Sequence, residues 1–339
     1  MMRIIIVGFG TVGRTFSQIL HRQRSLLLQR YGLRPRIVGI VDRGGAALNS
    51  QGLDINRTLT IKTQCGSVSY DKQFGRPQLS ALDVIERLNA DVLIEVSPTN
   101  LKDGEPALSH IRGALKQKLH VITANKGPLA LAFPALMELS IYNNVFLRFS
   151  GTVGAGTPLL SLGKTGLHGD QVSSIKGILN GTTNYILTQM TESATSFTDG
   201  LREAQSLGYA ESDPTNDVDG FDTAAKLVIL ANWVMNHSIT LPDVDIEGIR
   251  QVTPIAITEA KSKQQVIKLL ASITENEATV RPQRLQQTHP LNVSGTLNAV
   301  TYTTEFAGEI TLVGHGAGGP ETASAILRDL IDIRQNVIQ

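Results

Sequence analysis

Cysteine is almost missing: Cys65 is the only one in 339 residues. That excludes an internal disulfide framework and a cysteine-based zinc site, and it fits a reducing cytoplasm. Charge imbalance is missing too. The chain carries 31 basic and 30 acidic residues, a formal net charge of +1. No basic stripe stands out, so no nucleic-acid partner is expected. Long apolar runs are absent. "LVILA" at 227–231 is far too short to span a bilayer, and no membrane association is expected. The opening "MMRIIIVG" is no secretion signal, because its short apolar run ends at once in a glycine turn. There is no internal repeat and no low-complexity segment. His168, His289 and His315 are isolated, and no pair has ligand spacing.

What remains is a globular composition, 41% apolar and 18% charged. Its length exceeds one ordinary core, so two domains are expected. Residues 3–9, 36–42, 91–97 and 119–124 read as strands. The first, "RIIIVGF", is a continuous apolar run of the kind buried parallel strands show. Helical stretches at 12–30, 80–89 and 105–118 alternate with them. This α/β pattern predicts a doubly wound parallel sheet of the Rossmann type. After residue 145 the character changes. Strand-like 144–150 and 172–180 each run into a helix, helices fill 181–262, and "QQVIKLLASI" with "ATVRPQRL" reads as a hairpin. The second domain is therefore α+β. A strand at 306–313 and a helix at 320–334 are expected to return to the first domain. The domains are then 1–145 plus 306–339, and 146–305.

"GFGTVG" places Gly8, Gly10 and Gly13 in a G-x-G-x-x-G pattern between the first strand and a helix, the context a dinucleotide site requires. The glycines permit a tight turn and close approach of the backbone to a pyrophosphate, which the helix N-terminus attracts. Asp42 ends the second strand, where an acid can bind ribose hydroxyls. Arg43 beside it can hold a 2′-phosphate, so NAD and NADP both remain open. "TANKGPLA" sets Asn125 and Lys126 at the carboxyl edge of the sheet, with Ser97 on the neighbouring strand end.

The stretch "ESDPTNDVDGFDTAAK" concentrates acids ahead of Lys226. Acids at a helix start complement its dipole, with Asp219 as the expected cap and Asp222 in the first turn. A calcium loop begins correctly at Thr215 but ends on Lys226, where a glutamate is required. The helix "FDTAAKLVILANWVM" is apolar nearly all round and is expected to be buried. Lys226 then needs partners. Asp222, one turn away on the same face, supplies one. A lysine held between burial and carboxylates is suited to proton transfer. Glu211 and Asp213, in the loop after Gly208, are placed to hold an amino-acid ammonium group.

At this point the chain resembles the homoserine dehydrogenases. The likeness runs through "GFGTVG", "TANKGPLA", "SGTVGAGTPLL", "GILNGTTNYIL", "LGYAESDPTNDVDGFDTAAK" and "GHGAGGPETASA", almost the whole length. The resemblance implies NAD- or NADP-dependent interconversion of L-homoserine and L-aspartate 4-semialdehyde, a step of threonine and methionine biosynthesis. It implies that Lys226 donates the proton and that Asp222 positions it or a water. Glu211 would bind the homoserine ammonium, with Gly208 and Asp217 near the substrate. Lys126 would lie between cofactor and substrate and share in catalysis. Gly10, Thr11, Val12, Ser97 and Gly318 would contact the cofactor. The loop at 150–158 matches one that holds a sodium ion through carbonyls at Val153, Ala155 and Thr157. Ser150 stands where that family has a glutamate, so a side-chain ligand is lost. No C-terminal regulatory domain is expected. A homodimer is, with "TLNAVTY" (296–302) available for a sheet between subunits.

In the expected mechanism a protonated lysine, Lys226 or Lys126, stabilises charge on the aldehyde oxygen as hydride arrives from the nicotinamide, and supplies the proton. Two rivals are weaker. A phosphorylating semialdehyde dehydrogenase needs a nucleophilic cysteine, and Cys65 has no base beside it. A dinucleotide sensor would have no use for Lys226 among acids.

Overall fold

Ile4, Ile5 and Ile6 are fully buried in the middle of a seven-stranded sheet, because apolar groups cover both of its faces. A computed structural model describes residues 1–338 of the chain. Two compact units are present: Met1–Thr152 with the segment from Gly319 onward, and Val153–Gly318.

In the first unit, β1 (Met2–Val7) leads through α1 (Thr11–Arg22) and α2 (Arg24–Tyr31) to β2 (Pro35–Asp42). The helical stretch at 12–30 is thus two helices, which meet at Gln23. β3 (Gly45–Leu48), α3 (Ile55–Cys65), β4 (Gly75–Pro77) and α4 (Ala81–Arg87) follow. Then come β5 (Val92–Glu95), α5 (Ala107–Lys116), β6 (His120–Thr123), α6 (Lys126–Tyr142) and β7 (Leu147–Arg148). The strand order is β4-β3-β2-β1-β5-β6-β7. β2, β1, β5, β6 and β7 are parallel, while β3 and β4 add antiparallel pairs at one edge. The chain moves one way from β1 to β2 and the other way to β5. The ends of β1 and β5 therefore flank the switch point, where open α/β sheets bind ligands.

In the second unit, α7 (Leu159–Ser161) precedes β8 (Val172–Ile178), α8 (Gly181–Ser193), α9 (Phe197–Ser206), α10 (Thr215–Val218) and α11 (Phe221–Val234). β9 (Asp245–Ile246), α12 (Pro254–Ser262), β10 (Gln265–Ile273), β11 (Ala278–Gln286), β12 (Leu297–Thr304) and β13 (Glu309–His315) complete it. Its six-stranded sheet runs β13-β12-β8-β10-β11-β9. β10 and β11 form the expected hairpin.

Two expectations need correction. The segment 306–339 does not return as a whole. β13 pairs along its length with β12, from Leu297↔His315 to Thr303↔Glu309, and these main-chain bonds keep it in the second sheet. Only α13 (Gly319–Ile338) joins the first unit, where Ala323, Ile326, Leu330 and Ile333 are fully buried against its core. That spacing is the apolar stripe of a helix lying on a core. Nor is "TLNAVTY" free for a second copy. β12 is hydrogen-bonded to β13 on one side and β8 on the other, which uses the ladder groups of both its edges.

Candidate active site

The first unit presents a phosphate-binding loop. A Cβ on Gly8 would lie 2.4 Å from the Val96 carbonyl oxygen, and one on Gly13 would lie 2.3 Å from that of Gly8. Only glycine fits this close approach of β1, β5 and α1. At Gly10 the same Cβ would meet nothing within 4 Å, so open space lies over the turn. α1 starts there with no side-chain cap and no acid in its first turn, at Thr11, Val12 and Gly13. Uncapped amides at a positive dipole end, with room above them, suit a pyrophosphate.

Asp42 ends β2 as expected but does not present a free carboxylate. Its Oδ1 accepts from Gly44 N (3.0 Å) and Ser67 Oγ (2.6 Å), and its Oδ2 from Lys62 Nζ (2.7 Å) and Val68 N (3.0 Å). Burial alone would raise its pKa. Those bonds outweigh burial and hold it below the ordinary carboxylate range. Arg43, next in the chain, is exposed.

Glu95, at the end of β5, is fully buried and went unnoticed in the sequence, although an acid among Val92, Leu93 and Ile94 is a signal. It accepts from the Ser97 hydroxyl and from Ser97 N at 3.2 Å. Thr123 donates to the Glu95 carbonyl (3.1 Å) and accepts from Asn125 N (3.0 Å). Asn125 caps α6 through Gly127 N and donates to the carbonyls of Ser97 (3.2 Å) and Pro98 (3.1 Å). This network fixes Ser97 and the helix start that carries half-buried Lys126.

In the second unit Lys226 is buried, only 7% exposed. Its Nζ lies 2.7 Å from Asp222 Oδ2 and donates to the Leu179 carbonyl at 2.7 Å. Asn180, also unnoticed in the sequence, joins the acids. Its Nδ2 donates to Asp217 Oδ1 (2.6 Å) and Asp222 Oδ2 (2.9 Å), while its Oδ1 accepts from Thr183 N (2.9 Å) as the cap of α8. Burial, and next the charge of Asp222, raise the Asp217 pKa. Asp219 is not the expected cap. It pairs with Arg250, and the cap of α11 is Gly220, in the left-handed region at φ +89°. The loop carrying Gly208 and Glu211 is held against α8, where Thr182 Oγ1 donates to the Tyr209 carbonyl at 2.6 Å. Glu211 is exposed there.

Val153 and Ala155 are buried, and the Thr157 carbonyl accepts from Leu159 N at 2.8 Å. In the first unit, Ser150 Oγ donates to Asp329 Oδ1 at 2.6 Å. Burial raises the Asp329 pKa to about 6. Among the described residues no group of side chains has a metal-holding arrangement. A sodium ion at 153–157 would have backbone carbonyls for ligands.

A family profile described as homoserine dehydrogenase matches residues 158–331, and one described as its NAD-binding domain matches 8–149. The homoserine dehydrogenase of Methanocaldococcus jannaschii is 44% identical over 98% of each chain. An NAD(+)-dependent homoserine dehydrogenase of Pseudomonas canavaninivorans is 38% identical over 98% of this chain and 96% of its own. A solved hyperthermophilic archaeal homoserine dehydrogenase in complex with NADPH superposes with a TM-score of 0.87 at 30% identity, covering 99% of this chain and 98% of that one.

Proposed function

The chain belongs to the homoserine dehydrogenase family and is an NAD(P)-dependent oxidoreductase, and from that premise we propose how its residues divide the work. The reaction interconverts L-homoserine and L-aspartate 4-semialdehyde. The first unit's glycine loop holds the dinucleotide phosphates on the amides of Thr11, Val12 and Gly13. When bound, the nicotinamide exchanges a hydride with substrate C4.

The observation that carries the rest is the buried pair of Lys226 and Asp222. An ammonium has three donors. Lys226 donates one to the Leu179 carbonyl and forms an ion pair with Asp222, which leaves a donor with no partner among the described residues. That donor stabilises the oxygen on C4 and delivers its proton in the reductive direction. In the oxidative direction neutral Lys226 removes the alcohol proton. Asp222 keeps the ammonium in place. Glu211 and Asp217 hold the substrate's ammonium group. Lys126 contributes positive charge near the reacting oxygen rather than the proton. No step depends on sodium. Steady-state assay of Lys226→Ala with homoserine tests this. Turnover is expected to fall by a factor on the order of 100 to 10,000, and a loss of only a few-fold would refute the role.

The same reading extends to the cofactor. Each Asp42 oxygen already accepts two bonds, so the ribose diol of NAD finds no acceptor there. With Asp42 paired to Lys62, exposed Arg43 leaves the neighbourhood basic, which suits the 2′-phosphate of NADP. We therefore assign NADP as the preferred form. Replacing Arg43 by Ala is expected to lower kcat/KM for NADP about tenfold and leave that for NAD nearly unchanged. A parent enzyme that prefers NAD would overturn the assignment.

A further inference from the structure

The glycine loop lies at the carboxyl edge of the first sheet. At the amino edge, about 20 Å away along the strands, there is a second feature. A cavity of about 420 Å³ opens between the end of α1, the start of α2, the beginning of β2 and the loop into α3. This is within the ~300–1,000 Å³ range of small-molecule sites. Leu20, Leu53 and Ile55 line it with buried apolar surface. His21, Arg24 and Arg36 line it too, against one acid, Asp54.

The wall is rigid. Leu53 N donates to the Ile37 carbonyl (2.8 Å), and Asn49 exchanges bonds with Gly52 in both directions (2.7 and 2.8 Å). Gly52 has φ +101°, and a Cβ there would lie 2.8 Å from Arg36 Cγ. The stem of Arg36 therefore rests on the loop, in a place only glycine leaves free. Asp54 is turned to another task, since its Oδ1 caps α3 by accepting from Arg57 N at 3.1 Å.

Two arginines give the rim its charge. Elsewhere in the unit Arg3, Arg57 and Arg148 are paired with Asp91, Asp71 and Asp332 at 2.6, 2.7 and 2.6 Å. The side chains of Arg24 and Arg36, like those of Arg22, Arg30, Arg34, Arg43 and Arg112, have no hydrogen bond or ion pair with any described residue. Two unpaired guanidinium groups at the rim of an apolar hollow match an organic anion. The planar forks suit carboxylate or phosphate oxygens, and the floor suits an uncharged body.

We propose that this cavity is a binding site for a small organic anion, bearing a carboxylate or a phosphate on an apolar body, separate from the cofactor and substrate sites. Titration calorimetry on the cofactor-saturated enzyme, whose phosphate loop is filled, tests it with two probes, phenyl phosphate and phenylacetate. Saturable binding of at least one probe is expected, and whichever binds more tightly identifies the acidic group. Arg24→Ala and Arg36→Ala should each weaken it about tenfold, and Arg36→Glu should abolish it, with homoserine turnover unchanged in all three. If neither probe saturates, or if the Arg24→Ala/Arg36→Ala double variant binds as the parent does, the proposal is wrong.

Discussion

The second unit buries two lysines against one helix. Lys226 meets the residues at the start of α8, and Lys268 meets the turns that follow. Lys268 is only 3% exposed, and its Nζ donates to Asn184 Oδ1 (2.8 Å), the Val293 carbonyl (2.8 Å) and Thr188 Oγ1 (3.1 Å). All three of its donors are used, and every acceptor is neutral. Lys226 instead has a carboxylate at 2.7 Å and a donor to spare. Burial is therefore not what marks a lysine for chemistry. Lys268 has its donors filled by a frame of oxygens, so it can only hold α8, β10 and the loop at Val293 together. Lys226 is left with a donor to spare, beside the carboxylate of Asp222.

The widest separation between the two should come from removing each amine. Lys226→Met is expected to lower kcat on homoserine by a factor on the order of 100 to 10,000, since proton transfer and charge stabilisation both leave with it. Lys268→Met should leave kcat within a few-fold, provided the assay is run where the variant is folded. Equal losses in the two variants would erase the distinction drawn above.

A second contrast lies in stability against pH. Burial lowers the Lys268 pKa from 10.5 to about 8. Between those values the unfolded chain binds more protons than the folded one. Stability of the second unit therefore rises as pH goes from about 8 to 10.5, by on the order of 3 kcal/mol. Below about 8 both states are protonated, and the folded unit bears the full cost of the buried charge. The chain has a single tryptophan, Trp233, in this unit, so its fluorescence during urea unfolding reports the right transition. The rise should be present in the parent and absent in Lys268→Met. Parallel curves would mean that Lys268 does not titrate in this range.

These contrasts also show what could be read from the chain before its fold. The central strands were legible because continuous apolar runs have few other uses. The glycine loop was legible because three glycines at that spacing sit between a strand and a helix. Lys226 stood out as a charge in an apolar helix, and Lys268 offered the same signal in "VIKLLASI" without being noticed. Other features were hidden by distance along the chain. The saturation of Asp42 depends on Lys62, Ser67 and Val68, from a segment whose strands, β3 and β4, are only four and three residues long. Such short pieces carry no periodicity. The place of β12 inside its sheet depended on pairing with β8 and β13, and its own alternation suits an edge or an interior equally well.

The finest test concerns Asn180, which bonds two acids beside Lys226, whereas the Asn184 side chain beside Lys268 bonds only carbonyls and the lysine itself. Its amide donates to Asp217 and Asp222 together, and so holds two like charges next to one lysine. Asn180→Ser separates this from the capping role. Serine caps a helix about as well as asparagine, but its single O–H cannot serve both acids. The variant should melt within a few degrees of the parent and keep its KM for the cofactor. Its kcat should fall about tenfold, as the Lys226–Asp222 pair shifts from its working position. Asp217, already raised by burial and by the charge of Asp222, would lose the largest of the influences that oppose them. The acid limb of the kcat profile should therefore move to higher pH. A variant with lowered kcat but an unmoved acid limb would leave Asn180 a cap alone, and the two lysines would differ only by the carboxylate of Asp222.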